Sequence, residues 1–333
     1  MNADAAPGAP PRRRALTTIF VTVLLDLIGF GMILPLLPYY AQELHASAFQ
    51  IGLLFSSYSL AQLVFAPLLG RLSDRTGRRP VLFASISGSV AAYLLFTAAG
   101  SFSVLLLART LAGVAAANYA IAQAYIADVS SRENRAKAMG LVGAAFGLGF
   151  VLGPALGGLL AHLGEGTRLG NRIVPLTAAV LSAVNLLIAF SWLPESLPAE
   201  LKGRSRQGSW LNVQEFRAVW SNGPLRGLML LFFLVIFCFS IMEATLALFC
   251  QARFGFGETQ TGLLFAFVGI VLVVVQGGLL GRLVQRFGER GLILSGILLM
   301  AAGLVLLPFT PVSRPLAGTA LFLLLGSLAL LAV

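Results

Sequence analysis

The sequence predicts an all-α polytopic membrane protein, and three observations support this fold class. Hydrophobic residues make up 58% of the 333 residues and charged residues only 11%, which leaves too little polar surface for a soluble globule. The apolar residues form long continuous runs, whereas a transmembrane β-barrel would show short segments of alternating polarity. The basic residues concentrate in every second connection between these runs, as they do in helical membrane proteins.

Ten apolar runs are candidate spans, because a helix needs about 20 mostly apolar residues to cross roughly 30 Å of hydrocarbon. The predicted spans are residues 15–38, 50–71, 80–99, 101–126, 138–162, 173–193, 225–250, 260–281, 291–309 and 315–333.

The basic residues indicate the orientation of these spans. If the N-terminus is cytoplasmic, 18 of the 23 Lys and Arg residues lie in cytoplasmic connections and four in external ones, with Arg109 inside a span. This asymmetry follows the positive-inside rule, so the net charge of +10 is read as a topology signal. A nucleic-acid partner would need a clustered basic face and is not expected.

The longest polar connection divides the chain into two parts. We expect a cytoplasmic tail at 1–14, a six-helix bundle at 15–193, a cytoplasmic central loop at 194–223, and an incomplete four-helix bundle at 224–333. A complete second half would need two more helices, so we expect the sequence to be truncated at its C-terminus.

The two halves contain related segments. QIGLLFSSYSLAQLVFAPLLGRLSDRTGRR, from Gln50, matches QTGLLFAFVGIVLVVVQGGLLGRLVQRFGER, from Gln260, and one extra residue in the second copy aligns Gly77 with Gly288. Two related halves with a basic loop after each second helix are typical of pseudo-symmetric transporters.

A charged turn, GRLSDRTGRRP at 70–80, joins the second and third spans. Its two glycines would let the helix ends and a tight turn approach without a Cβ clash. Its arginines cannot enter hydrocarbon and would anchor the turn at the cytoplasmic surface, where acidic side chains can pair with them. The charged and glycine residues of interest here are Gly70, Asp74, Arg75, Gly77, Arg78, Arg79 and, at the inner end of the fourth span, Asp128.

Four motifs in order resemble those of the major facilitator superfamily. The turn at 70–80 resembles its loop signature, and LARTLAG at 107–113 is similar to its fourth-helix motif with an intramembrane arginine. GLGFVLGPALGG at 147–158 is similar to the fifth-helix motif of drug/proton antiporters. LLDLIGFGMILPLLP at 24–38 resembles the first helix of twelve-helix drug antiporters, notably tetracycline/proton exchangers.

This resemblance implies a major facilitator fold of two pseudo-symmetric six-helix bundles, of which the second is incomplete here. It also implies that residues 70–80 form a cytoplasmic gate, hereafter the gate loop. In the family Asp74 faces the start of the eleventh helix, which this sequence lacks.

The glycines of the fifth span have two readings. The resemblance implies that they form the antiporter motif, which limits leakage between helices, whereas small residues four apart also serve ordinary close helix packing. The motif residues are Gly149, Gly153, Pro154, Gly157 and Gly158.

Asp26, Arg109 and Glu243 lie inside predicted spans, where an ionisable group costs about 2.5–3.5 kcal/mol. A functional reading is preferred for the two acids, whereas for Arg109 it is no better than the alternative. Asp26 matches the first-helix acid of the antiporters and is a candidate proton carrier or cation anchor. Counted back from Gln42 in the first half and Gln251 in the second, Glu243 lies about eight residues, or roughly 12 Å, further outward than Asp26. It would face the same cavity. The motif implies proton coupling for Arg109. The alternatives are structural hydrogen bonds for the two acids and an arginine that snorkels from the outer helix end.

Polar residues in the spans are candidate cavity residues, although interhelical hydrogen bonding is the better explanation for any one of them. They are Gln62, Asn118, Tyr119, Gln123 and Gln276. The third, eighth and ninth spans lack the ionisable groups that the tetracycline exchangers carry there, so tetracycline itself is not expected as substrate.

The sequence therefore predicts a secondary transporter that exports small hydrophobic or cationic compounds in exchange for protons by alternating access. The alternatives are a metabolite facilitator or importer of the same fold and a truncated remnant without transport activity. We expect no enzyme activity, no cofactor and no metal, and a monomer in a bacterial inner membrane with its N-terminus in the cytoplasm. No phosphate-binding glycine loop with Lys and Ser or Thr occurs, which argues against ATP-driven transport.

Overall fold

A computed structural model describes residues 12–131, 134–167, 169–197, 213–274 and 280–309. These described residues form α-helices joined by short connections, with no strand among them. The helices are α1 (Arg12–Ile33), α2 (Leu37–Glu43), α3 (Ala48–Thr76), α4 (Arg78–Thr97), α5 (Phe102–Ala116), α6 (Asn118–Val129), α7 (Arg135–Gly164), α8 (Ile173–Trp192), α9 (Val213–Ser221), α10 (Gly223–Phe254), α11 (Glu258–Val274) and α12 (Leu280–Leu306).

The helices confirm the predicted all-α polytopic fold. Within the described ranges, seven helical units are long and apolar enough to cross a membrane, or eight if the bent α12 counts as one span, and α11 is a shorter apolar helix. The predicted span at 315–333 and the candidate residue Gln276 lie outside the described residues.

Proline and side-chain caps set several helix boundaries. Pro35 has no N–H to donate, and α1 ends at Ile33, before the chain re-enters a helix at Leu37. Ser47 begins α3 with a capping box, since its hydroxyl accepts from the backbone N–H of Gln50 and the Gln50 side chain accepts from the N–H of Ser47. These boundaries make α2 a separate short helix at the end of the first span, which the sequence did not predict.

The predicted fourth span is broken into α5 and α6. The break falls at Ala117, and Gln62 on α3 donates from Nε2 to the carbonyl oxygen of Ala116 at 3.2 Å. A side-chain donor at this point satisfies a backbone group near a helix break inside a membrane span. The break leaves Asn118 as the first residue of α6.

Helix α7 packs closely against α1 on one face and against α11 of the second half on another. On one face, a Cβ added at Gly149, Gly153 or Gly157 would clash with α1, and at Gly153 it would lie 2.8 Å from the Cα of Gly31. On another face, Gly158 meets Gly262 of α11, where an added Cβ would lie 2.6 Å from the Cα of Gly158. These fifth-span glycines therefore make close helix contacts, and the antiporter motif stays a prediction.

The aligned glycines of the two repeats share an unusual backbone conformation. Gly77 has φ 112° and ψ 156°, and Gly288 has φ 70° and ψ 161°. Both φ values lie in the region that side chains other than glycine rarely adopt. At Gly288 the chain bends by 103° within α12, so the helix before the bend corresponds to the end of α3 and the helix after it to the start of α4. The backbone thus preserves the repeat that the sequence indicated.

Candidate functional site

A central cavity of about 400 Å³ contains most of the polar residues that the sequence singled out. Asp26, Gln62, Asn118 and Tyr119 line it from the first half, and Glu243 on α10 lines it from the second half. Gln123 is exposed and does not line the cavity. It follows Asn118 by five residues, which turns it by about 140° around α6, so its inclusion among the cavity residues was wrong.

Two amide side chains hold Asp26. Asn118 donates from Nδ2 to Asp26 Oδ2 at 2.8 Å, and Asn185 on α8 donates from Nδ2 to Asp26 Oδ1 at 3.0 Å. Asn185 also donates to the backbone carbonyl of Thr22 at 3.1 Å. Both carboxylate oxygens therefore accept a hydrogen bond, which is the arrangement expected for an ionised carboxylate. The sequence-based alternative, a carboxyl bonded to the nearby Gly29–Gly31 backbone, is not what the structure contains.

The rest of the cavity wall is mainly apolar and aromatic. Its aromatic residues are Phe30, Tyr58, Tyr93, Tyr119, Phe146, Phe150 and Phe239. Glu243 Oε1 is buried and has no hydrogen-bond partner within the described part of the chain. No Lys or Arg is among the described residues that line this cavity. Carboxylates among aromatic rings favour organic cations, since ring faces attract positive charge.

Arg109 lies behind the cavity wall. Its side chain is 2% exposed, and its guanidinium carbon lies 4.5 Å from the ring centroid of Tyr58, which does line the cavity. Tyr58 in turn stacks on Phe30 of α1 with the ring centroids 5.2 Å apart. Full burial contradicts the alternative in which Arg109 snorkels to the membrane surface.

An ionic cluster organises the gate loop. Arg78 pairs through Nη1 with Asp74 Oδ1 at 2.6 Å and through Nε with Asp128 Oδ2 at 3.1 Å, and it also donates to the hydroxyl of Ser73. The pairing predicted for Asp74 and Asp128 is therefore found on one arginine. Arg79 turns away and donates to the carbonyl of Phe190 at the end of α8. Arg75 is exposed, as expected for an anchor at the surface.

Glu195 completes this cluster, and sequence reasoning missed it. Its Oε1 accepts from the backbone N–H of Arg78 at 2.9 Å, and from those of Ser196 and Leu197. A Cβ at Gly77 would lie 2.2 Å from Glu195 Oε2, so the absence of a side chain there makes room for the carboxylate. The space around Gly70 is open, and the predicted close approach applies to Gly77 alone of this pair.

Contacts between the two halves lie near the N-terminal end of α3, at the opposite end of that helix from the gate loop. The hydroxyl of Tyr39 in α2 donates to the carbonyl of Phe256 at 3.0 Å and lies 2.7 Å from the hydroxyl of Thr261. Asn171, between α7 and α8, donates from Nδ2 to Glu43 of α2 and, at 2.6 Å, to Glu258 at the start of α11. We call these residues, together with Gln42 and Gln251, the end contact.

Asn185 and Glu195 had weak signals in the sequence. Asn185 is a lone amide in the apolar run VLSAVNLLIAF, and Glu195 follows a span in the segment LPES. Neither signal indicates a partner, because the contacting residues are 159 and 117 positions away in the chain.

Comparisons with known proteins agree with this architecture. The family model of the Major Facilitator Superfamily matches residues 19–333. The tetracycline resistance protein, class C, of Escherichia coli is 36% identical over 300 residues, which cover 89% of this chain and 74% of that protein. Major facilitator superfamily domain-containing protein 10 of Homo sapiens is 31% identical, with 94% of this chain and 77% of that protein covered.

Solved structures show the same fold. The crystal structure of the human organic anion transporter MFSD10 (TETRAN) superposes with a TM-score of 0.67 at 29% identity, covering 96% of this chain and 85% of that one. A bacterial homologue of the human lysosomal transporter Spinster, in an inward-facing and unoccupied conformation, superposes with a TM-score of 0.77 at 19% identity, covering 98% of this chain and 74% of that one.

Proposed function

The chain belongs to the major facilitator superfamily, and we propose that it is a proton-coupled secondary transporter that exports small hydrophobic or cationic compounds. The observation that carries the proposal is the position of Asp26. This carboxylate lies in the wall of a largely apolar cavity, and Glu243 of the second half faces the same space. A membrane carboxylate that can be reached from a cavity is suited to bind either a proton or a cationic substrate.

The cavity wall supports the substrate class. Aromatic rings provide apolar contact area and attract positive charge through their faces, and the two carboxylates supply the opposite charge. A cavity of about 400 Å³ is within the range for drug-sized ligands. The similarity to a tetracycline resistance protein supports an efflux role, although the third, eighth and ninth spans lack the ionisable groups that the tetracycline exchangers carry there.

Alternating access requires contacts that close one end at a time. The end contact joins α2 to α10 and α11, while the ionic cluster of the gate loop lies at the other end of α3. With the N-terminus in the cytoplasm of a bacterial cell, the end contact is external. This arrangement supports a cycle in which the external end opens after the inner end closes. We expect a single chain to carry it out.

Substitution of Asp26 by Asn tests the proposal. In proteoliposomes with an imposed proton gradient, the wild type should move ethidium, a hydrophobic cation, and Asp26→Asn should abolish that movement while the protein is still produced and folded. Gln123→Leu is the control, because Gln123 is exposed and lies outside the central cavity. Ethidium transport by Asp26→Asn at the wild-type rate would remove the coupling role from this carboxylate.

A carrier of organic anions is the second candidate, favoured by the likeness to MFSD10, whose crystal structure is described as that of an organic anion transporter. The buried Arg109 would then be the anion-binding group, once Tyr58 moved aside. The two activities are separated by measuring proton-driven transport of ethidium and of fluorescein in the same vesicles. Transport of fluorescein alone would favour the anion carrier.

A further inference from the structure

Asn185 places an amide behind Asp26, on the side away from the central cavity. Its side chain is completely buried and, unlike Asn118, it does not line the cavity. Its Nδ2 donates both to Asp26 Oδ1 and to the backbone carbonyl of Thr22, one helical turn before Asp26. Because both partners are acceptors, the orientation of the amide is fixed when Asp26 is a carboxylate.

The other end of this amide is unsatisfied. Asn185 Oδ1 is buried and has no hydrogen-bond partner among the residues that the structure describes. The hydroxyl oxygen of Ser182, three residues earlier on the same face of α8, is also buried without a partner there. Buried polar groups are normally hydrogen-bonded, so an unused acceptor beside an intramembrane carboxyl calls for an explanation.

Protonation of Asp26 would explain the unused acceptor on Asn185. A neutral carboxylic acid carries an O–H that needs an acceptor, and the N–H groups that now face Asp26 cannot provide it. Rotation of the Asn185 side-chain amide by about 180° would present Oδ1 to the acid and point Nδ2 toward the face of α8 that carries Ser182. This rotation would release the carbonyl of Thr22 and so alter the contact between α1 and α8. An amide is suited to this role because it both donates and accepts.

We propose that Asn185 is a positioning residue for proton coupling: it donates to Asp26 as a carboxylate, accepts from Asp26 as an acid, and does not touch the substrate. The inference rests on the proposed function, since it assumes that Asp26 carries the proton. Asn118 differs from Asn185 because it holds the other carboxylate oxygen from within the cavity wall, where a bound cation would meet it. The two asparagines therefore separate coupling from binding.

The experiment compares Asn185→Leu with Asn118→Leu, since leucine is of similar size and has no polar group. Ethidium affinity at fixed pH and protons released per ethidium bound are measured on purified protein, and ethidium transport driven by a proton gradient is measured in proteoliposomes. For Asn185→Leu we expect ethidium affinity within about twofold of the wild type and fewer protons released per ethidium bound. Driven transport should be lower by about tenfold, as for a lost hydrogen bond to a charged group. Asn118→Leu should lower affinity as well.

Asn185→Ala is made in parallel, because it removes the amide without adding apolar bulk, and it should give the same pattern. Proton release and driven transport equal to the wild type in either folded Asn185 variant would overturn the inference. An equal loss of ethidium affinity would also overturn it, because Asn185 would then shape the binding site. A wild type that shows no proton-driven ethidium transport would instead refute the proposed function, and this inference with it.

Discussion

Gln42 and Gln251 hydrogen-bond to each other twice, with each Nε2 donating to the other residue's Oε1 at 2.9 Å. Gln42 belongs to α2 in the first half and Gln251 to α10 in the second half. Because each amide both donates and accepts, the pair is nearly self-complementary. Together with Tyr39 and Asn171 it closes one end of the molecule between the halves.

Two like charges placed at this pair should open that end of the molecule. In the double variant Gln42→Glu/Gln251→Glu, two like charges replace a pair of hydrogen bonds, and like-charge contacts at interfaces cost several kcal/mol. A cysteine placed at Phe239 in the cavity wall, with Cys238 and Cys250 changed to Ser, should then react about tenfold faster with a membrane-impermeant maleimide added outside.

The matched control is Gln42→Glu/Gln251→Lys, which restores attraction between the same two positions. Its labelling rate should return to that of the protein with both glutamines. Equal labelling of the two double variants would show that the contact does not hold this end closed.

Glu258 should make the end contact depend on pH. Burial, followed by the charges of Glu43 and Glu165, raises the pKa of Glu258 to about 7, and the hydrogen bond from Asn171 opposes this shift. The hydroxyls of Tyr39 and Tyr40 on α2 also lie near Glu258. A solvated glutamate, as in an opened end, has a pKa near 4.5.

The closed end therefore binds a proton more tightly than the open one. Its added stability is fully present below about pH 4.5 and is lost as the pH rises through about 7. External labelling of the cavity cysteine, divided at each pH by the labelling rate of the unfolded protein to remove the pH dependence of the thiolate itself, should increase between pH 5 and pH 8. In Glu258→Gln, which is neutral at every pH, this ratio should stay low throughout. A labelling profile in that variant that follows the wild-type pH dependence would assign the effect to another group.

The sequence predicted the described apolar helices, the repeat and the charged turn at 70–80 because these are visible as patterns along the chain. Continuous apolar runs locate helices, and the repeated glycines Gly77 and Gly288 mark the turns whatever surrounds them. The partners of polar residues depend on how each helix is rotated and packed, which a span does not determine. Asn185 and Gln123 illustrate this: one was overlooked and holds Asp26, and the other was selected and faces away from the cavity.

Substitution of Gly77 should disturb the gate loop more than substitution of Gly70. Alanine at Gly77 would need a φ of 112° and would place Cβ against Glu195 Oε2, so the carboxylate that accepts from the N–H of Arg78 must move. We expect a loss of about 1–3 kcal/mol in the free energy of unfolding. Gly70→Ala meets open space inside α3 and should be neutral or slightly stabilising.

Thermal unfolding of the detergent-solubilised protein measures both variants. Glu195→Gln serves as a further test, because its amide keeps one acceptor oxygen but loses the charge that faces the start of α4. It should fall between Gly77→Ala and the wild type. A Tm for Gly77→Ala no lower than that of Gly70→Ala would mean that Glu195 is not held by the space at Gly77.

Contact between the two halves should also depend on Gly262 in α11. A Cβ at this position would lie 2.6 Å from the Cα of Gly158 and 3.0 Å from the carbonyl oxygen of Pro154, and backbone atoms of α7 cannot yield as a flexible side chain would. Gly262→Ala should therefore push α11 away from α7 and lower the free energy of unfolding by about 1–3 kcal/mol, as overpacking does. Gly143→Ala is the matched control, since it lies in α7 with open space around it and replaces a helical glycine with a better helix former. Its Tm should be unchanged or higher, whereas that of Gly262→Ala should fall. If both variants unfolded at the same temperature, the glycine contact would contribute nothing measurable to holding α11 against the first half.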